Sequence, residues 1–276
     1  MDPARPLDDE MAQAETLPQA DASSLVDAER LESEVKEMYR HVAREEEAEL
    51  HFEVGRALAL RLGYPQDVLD AVPAEALASF AGVGYYFDLA ALEPGDAVLD
   101  LGSGSGTDVF IAAVKVGESG RAMGIDFTDE QIGKARRLRD REGFPQVEFV
   151  EGGIGDLPFK EESFDVVVSN GVINLSPVKT QVFAEAARVL RPGGRLALAD
   201  IVSGRPLKER TRRDVELWAA CIAGAIPRRN YLETIEAAGL QVREVRENDY
   251  NFMSDRARQA CSTYGVESVS LVAVKG

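Results

Sequence analysis

The chain has 276 residues, 45% of them hydrophobic, with 48 acids against 31 bases and a net charge of −17. That length and apolar content suffice for one ordinary domain plus additions. The charge argues against nucleic acid or an anionic membrane as partner, because phosphates would be repelled. No run of eighteen apolar residues is present to span a membrane. The two cysteines, Cys221 and Cys261, do not make a disulfide framework, so a reducing cytoplasm is the expected compartment.

Residues 1–33 hold nine acids and two bases and lack the apolar core of a secretory signal. They read as a disordered acidic tail. Residues 34–92 read as a helical cap. Val35, Met38 and Val42 share one stripe, and Leu50, Val54, Leu58 and Leu62 share another, before Gly63 ends the segment. Pro73 starts a short helix towards Gly82-Val83-Gly84-Tyr85-Tyr86-Phe87.

From residue 93 to 276 strands and helices alternate. Strands are expected near Ala97–Leu101, Ala122–Asp126, Val147–Val150, Phe164–Ser169, Arg195–Ile201, Val242–Val245 and Ser268–Val274. Helices are expected near Asp108–Val116, Asp129–Glu142, Val178–Leu190, Asn230–Ala238 and Asp255–Tyr264. Thr128 with Gln131 makes a capping box, and Ser176 before Pro177 offers an N-cap with proline at the first helical position. Pro192-Gly193-Gly194 is expected to be a turn, and residues 207–227 a helical insertion. Such alternation predicts an α/β fold, a doubly wound, mostly parallel seven-stranded sheet covered on both faces, with the last strand free to insert antiparallel.

The most informative stretch is Ala97-Val98-Leu99-Asp100-Leu101-Gly102-Ser103-Gly104-Ser105-Gly106. It is a buried strand running into a loop with glycine at alternate positions. Such a loop turns sharply and lets a ligand lie against bare backbone. Roughly 20 residues later a second apolar strand ends in Asp126, placed to grip the two hydroxyls of a ribose. The spacing is not the G-x-G-x-x-G of a dinucleotide site, and Asp100 and Asp108 flank the loop where they would repel a pyrophosphate. They suit a ligand with an ammonium group and a sulfonium. S-adenosylmethionine is that ligand.

The order VLDLGSGSGTD, GIDFT, GGIGDLPF, FDVVVSN and RVLRPGGRLALAD resembles the class I methyltransferases that use S-adenosylmethionine, over roughly residues 95–202. A narrower likeness, in FAGVGYYFDLAAL, SNGVINLSP and LWAACIAGAIP, is to the arsenite methyltransferases. The first resemblance implies a Rossmann-like fold and S-adenosylmethionine as cofactor. It also implies a donor site at Asp100, Gly102, Ser103, Gly104, Gly106, Asp108, Asp126, Phe127, Gly153, Ile154 and Asn170. Phe127 would lie against adenine. Gly153 stands where many relatives have an acid, which leaves the adenine amino group to the backbone of Ile154, with Asp156 as a substitute.

The narrower likeness departs at the metalloid site. Two cysteine positions of that family are Val83 and Gly171 here, and only Cys221 matches. One thiolate does not chelate trivalent arsenic. The expectation is therefore a methyltransferase for another small molecule, acting by direct displacement at the donor methyl. An arsenite, thiol or metalloid enzyme using Cys221 is the alternative, and a non-catalytic donor-binding module is a second. By the same likeness Tyr39, Tyr85, Tyr86, Trp218 and Cys221 wall the acceptor pocket. Of the two histidines, His41 and His51, His41 beside Tyr39 is placed to act as a base, so Tyr39 and His41 are the catalytic candidates. No spacing of ligands suggests a metal.

Overall fold

The computed structural model describes residues 28–44, 53–214, 217–218, 221–253 and 255–276. The N-terminal cap holds α1 (Ala28–Arg44), α2 (Arg56–Arg61), α3 (Gln66–Asp70), α4 (Ala74–Ala78) and α5 (Phe87–Ala90). Helix α1 begins at Ala28, inside the stretch expected to be tail, because Leu31 and Val35 both find buried places. The second apolar stripe is not one helix. Gly55, at φ 86°, starts α2 only at Arg56, and Leu50 lies outside the described residues.

Seven strands follow: β1 (Ala97–Leu101), β2 (Arg121–Asp126), β3 (Val147–Glu151), β4 (Phe164–Asn170), β5 (Leu190–Val202), β6 (Leu240–Asn248) and β7 (Glu267–Lys275). They form one sheet in the order β3-β2-β1-β4-β5-β7-β6. The first five are parallel, and β7 inserts antiparallel between β5 and β6. Between them run α6 (Thr107–Val116), α7 (Asp129–Glu142), α8 (Lys179–Val189), α9 (Glu209–Arg212), α10 (Arg228–Ala237) and α11 (Asp255–Tyr264). In the expected insertion, α9 is a single turn and Leu217–Trp218 are helical.

Alternation along the strands divides the interior in two. Val98, Val166, Val168, Ala197 and Ala199 face a core shared with α6, α7 and the cap. Leu99, Leu101, Val167, Leu196 and Leu198 face a second core built with α8 and α10. The chain reverses direction across the sheet between β1 and β4, the point at which an open α/β sheet leaves a crevice at its carboxyl edge.

Three local expectations give way to tertiary contacts. Thr128 is the N-cap of α7 but makes no side-chain cap bond, and Gln131 is drawn away to the Ser105 hydroxyl and the Tyr39 carbonyl. Ser176 accepts the N–H of Val178 (3.2 Å), so α8 starts at Lys179, two residues past Pro177. Pro192-Gly193-Gly194 is a bulge inside β5 rather than a turn before it: Leu190 pairs with Phe164, and the next pairing is Arg195 with Val166.

Candidate active site

The loop after β1 takes its shape from Gly102, Gly104 and Gly106, at φ 75°, 51° and 92°. A Cβ on Gly102 would sit 2.4 Å from Val172, so only glycine lets the loop and the turn after β4 approach this closely. The N–H groups of Gly102 and Ser103 donate to Ile125 O at 2.8 and 3.0 Å, fastening the loop to β2. At the tip of β2 the Asp126 carboxylate accepts the N–H of Gly104 (2.9 Å) on one oxygen and that of Thr128 (2.8 Å) on the other. Each oxygen keeps a lone pair for a ligand.

Two adjoining cavities open on this edge, of about 80 and 450 Å³. Gly102, Asp126, Phe127, Val172 and Leu175 line both and form the neck between them. The smaller cavity holds Asp100, Ser103, Asp108 and Asn170, with Tyr39 at its edge. The larger holds Gly153 and Ile154, with Leu31, Val35 and Lys36 of α1 as its cover. The Lys36 ammonium lies over the Phe127 ring, 5.1 Å from its centroid. Every residue named for the donor except Gly106 lines one of the two cavities. Gly106 stands behind them, where a Cβ would meet Phe149. Asp156 is exposed and lines neither cavity.

The smaller cavity concentrates acid. Asp100 is 3% exposed and Asp108 5%. Burial raises the Asp100 carboxyl well above the usual range, and the charges of Asp108 and Asp126 add to it. Burial also raises Asp108, against three hydrogen bonds to its charged form, from Tyr86, Asn170 and Tyr64. Asp126 is raised by burial too, against the N–H groups of Thr128 and Gly104 and the charge of Lys36. Dehydration favours neutral acids, and a cationic ligand reverses that preference. Buried acids on bare backbone fit an ammonium and a sulfonium, and the acid at the neck fits a ribose. The larger, more apolar cavity beside Phe127 and Ile154 is suited to adenine.

The acceptor-wall candidates separate. Tyr86 is fully buried and donates to Asp108 (2.7 Å). The Tyr85 ring packs edge-on against Tyr64, at 4.9 Å. Trp218 is core: its indole N–H donates to Arg212 O (2.6 Å) and the Lys179 ammonium lies 5.4 Å from its ring. Tyr39 and Cys221 remain. The Tyr39 phenol is pushed well up by loss of hydration, then by Cys221, Tyr250, Asp126 and Asp200. Cys221 is buried in a left-handed turn at φ 60°, its thiol raised to about 12 by burial and then by Asp200. His41 lies in α1 with its side chain outside the described set, and His51 is outside it altogether.

Positions 83, 171 and 221 meet in space: a Cβ on Gly171 would lie 3.1 Å from Val83, and the Cys221 thiol is 3.8 Å from Gly171 O. Among the described residues no cluster of metal ligands occurs. Tyr64 escaped the sequence reading, and Gln131, which lines the smaller cavity, entered it only as a helix-capping residue. Tyr64 sits in a short loop and meets Asp108 across 44 residues, a distance at which no local pattern signals contact.

Known proteins resemble this chain in sequence and in fold. The arsenite methyltransferase of Halobacterium salinarum is 41% identical over 197 residues, 71% of this chain and 50% of that protein. The erythromycin 3''-O-methyltransferase of Saccharopolyspora erythraea is 32% identical over 175 residues, 58% of this chain and 56% of that one. The crystal structure of an arsenic(III) S-adenosylmethionine methyltransferase from Chlamydomonas reinhardtii superposes with a TM-score of 0.61 at 30% identity, covering 80% of this chain and 74% of that one. The chain spans about half the length of the curated relatives it matches. A family model described as a methyltransferase domain matches residues 92–241, and the chain belongs to that family, the S-adenosylmethionine-dependent methyltransferases.

Proposed function

We propose that the chain transfers the methyl group of S-adenosylmethionine to a small-molecule acceptor. When bound, S-adenosylmethionine supplies a methyl carbon on a sulfonium, already an excellent leaving group. The protein therefore needs to hold, align and dry the reacting pair more than to activate it, and such positioning is worth an effective molarity of ~10⁵ M or more. Asp126 would hold the ribose, the Gly102–Gly106 loop and the acids Asp100 and Asp108 the amino-acid end, and Phe127 and Ile154 the adenine. Tyr39, which lines the smaller cavity, would face the acceptor. The observation that carries this reading is the set of three buried acids, Asp100, Asp108 and Asp126, around one crevice.

The net charge of −17 favours a small acceptor over a nucleic acid. Cys221 and Cys261 are both free, in keeping with a reducing cytoplasm. Among the described residues no helix is long and apolar enough to cross a membrane. We divide the sequence into an acidic tail, a helical cap to residue 92 and the donor-binding domain beyond it. Calorimetric titration with S-adenosylmethionine and S-adenosylhomocysteine tests the donor, and absence of binding by both overturns the reading. Donor binding without turnover on any of a panel of acceptors would instead make the chain a non-catalytic module.

A second reading, methylation of arsenite or another soft acceptor through Cys221, draws on the 41% identical relative. Against it stand a thiol raised to about 12 and the apolar or absent side chains at positions 83 and 171. Incubation with arsenite, a thiol reductant and the donor decides: methylated arsenic establishes the second reading, and its absence leaves the first.

A further inference from the structure

Asp100 and Asp108 line the same small cavity and are equally buried, yet their surroundings are unequal. The Tyr64 hydroxyl lies 2.9 and 3.0 Å from the two oxygens of Asp108 and donates to them. Tyr86 donates to it at 2.7 Å and Asn170 Nδ2 at 3.1 Å. Asn170 Nδ2 also donates to the Tyr64 hydroxyl (2.9 Å), which orients that proton towards the acid. Two of these donors come from the cap and one from the end of β4. The Asp100 carboxyl has no hydrogen-bond donor among the described residues, it lines the cavity, and the charges acting on it are those of two acids, Asp108 and Asp126.

We propose that Asp100 carries a proton in the donor-free protein and releases it to solvent when the donor's ammonium group enters, while Asp108, held by Tyr64, Tyr86 and Asn170, stays ionised throughout. The proposal rests on the donor assignment above and adds a protonation state to it. Tyr64 and Tyr86 are positioning residues here: they act on the donor through Asp108.

The physical reason is competition between like charges in one dry space. Hydrogen bonds to a carboxylate favour its charged form, and of this pair only Asp108 receives them. Asp100 bears the dehydration together with the charges of Asp108 and Asp126, and its proton is held to higher pH as a result. The other groups around it are accounted for. Tyr64 and Tyr86 are spent on Asp108, and both phenols are themselves pushed well up, first by burial and then by Asp108. Lys36 of α1 acts on Asp126, not on Asp100. Lys134 of α7 donates to Ser79 (2.9 Å) at the cavity rim. Tyr39 of α1 lies towards Asp126.

Linkage turns this into a measurable signature. If binding expels a proton, donor affinity rises with pH until Asp100 is ionised in the free protein, by about tenfold per pH unit for a single proton. Titration of the full chain with S-adenosylhomocysteine in buffers of different ionisation enthalpy should show a net release approaching about one proton per ligand. 5′-Methylthioadenosine, which lacks the amino-acid end, should bind without release. Asp100→Asn should bind S-adenosylhomocysteine with no release, and Tyr86→Phe should move the rise in affinity to higher pH, because Asp108 loses a donor to its charged form.

Three results would overturn the proposal: heats that are the same in every buffer from about pH 5 to pH 8, equal release with 5′-methylthioadenosine, or undiminished release from Asp100→Asn. An unmoved pH profile in Tyr86→Phe would remove the positioning role. The two-ligand comparison uses the unaltered protein, so it stands whether or not a variant folds. Failure of every ligand to bind would strike the donor assignment itself, which is a different result from binding without a proton.

Discussion

Asp126 fixes two backbone amides with one carboxylate, and this makes it more than a point of contact. Gly104 N–H and Thr128 N–H fix both of its oxygens in place. A ribose arriving at the neck would meet an acceptor already oriented. Asp126→Ala removes a charged acceptor and also frees the loop, so donor affinity should fall by ~1–3 kcal/mol or somewhat more. Asp126→Asn, which keeps one accepting oxygen and the size, should lose less. Titration with S-adenosylhomocysteine measures both, and an unchanged affinity in the alanine variant refutes the ribose role. Tyr64 belongs to the same scale. Its partner Asp108 was singled out from sequence for its place beside the glycine loop, but nothing in the residues around Tyr64 distinguishes it from core. Its role exists only after the cap has folded against α6.

At the scale of elements, the glycine loop shows how position decides what a glycine is for. Gly102 and Gly104 both have positive φ, yet a Cβ on Gly102 would meet Val172 at 2.4 Å, while one on Gly104 has nothing nearer than 3.9 Å. Gly104→Ala should therefore cost only about 1 kcal/mol of backbone strain, whereas Gly102→Ala must also displace the turn after β4. Thermal unfolding should separate them: a small fall in Tm for Gly104→Ala and a clearly larger one for Gly102→Ala, with equal falls refuting the steric argument. The strands were legible because β1, β4 and β5 are apolar on both faces, as a covered parallel sheet requires. The caps were less so. Gln131 satisfies the local rule for a capping box, but Ser105 and the Tyr39 carbonyl claim it through the tertiary fold. Helices α2 to α5, of four to six residues each, are too short to stand on propensity, so their boundaries come from what they pack against. The acceptor-wall candidates show a related limit: an aromatic near a ligand and an aromatic in a core look alike in a sequence, and Tyr86 and Trp218 are buried.

Across the whole molecule, acids gather at the carboxyl edge of the sheet, and this sets how stability responds to pH. Asp100, Asp108 and Asp126 are all raised, chiefly by burial, and Asp200 is raised to about 6 by burial despite its bonds from Tyr231 (2.6 Å) and Ile201 (2.8 Å). Unfolded, each would titrate near the ordinary value of about 3.9. Above that pH the folded chain therefore binds more protons than the unfolded one. Stability is greatest while these acids are neutral and falls as pH rises through their folded-state values, for Asp200 from about 4 to about 6. Asp88 and Glu185 work the other way. Arg246 and Arg188 lower them, but both ion pairs are partly solvated, so their contribution is small and is lost only in stronger acid. The net charge of −17 adds repulsion that grows over the same interval. The donor-free protein should accordingly lose Tm between about pH 4 and pH 6. A cationic donor end offsets the crevice acids in the folded state alone, so the rise in Tm produced by a fixed excess of S-adenosylhomocysteine should grow across that interval. At 100 times Kd such a ligand contributes about 2.7 kcal/mol. Repeating the scans at about 1 M salt, where the screening length is about 3 Å, removes the long-range repulsion and leaves the buried acids unscreened. A slope that persists there assigns the effect to the crevice and Asp200, and one that vanishes assigns it to the surface charge.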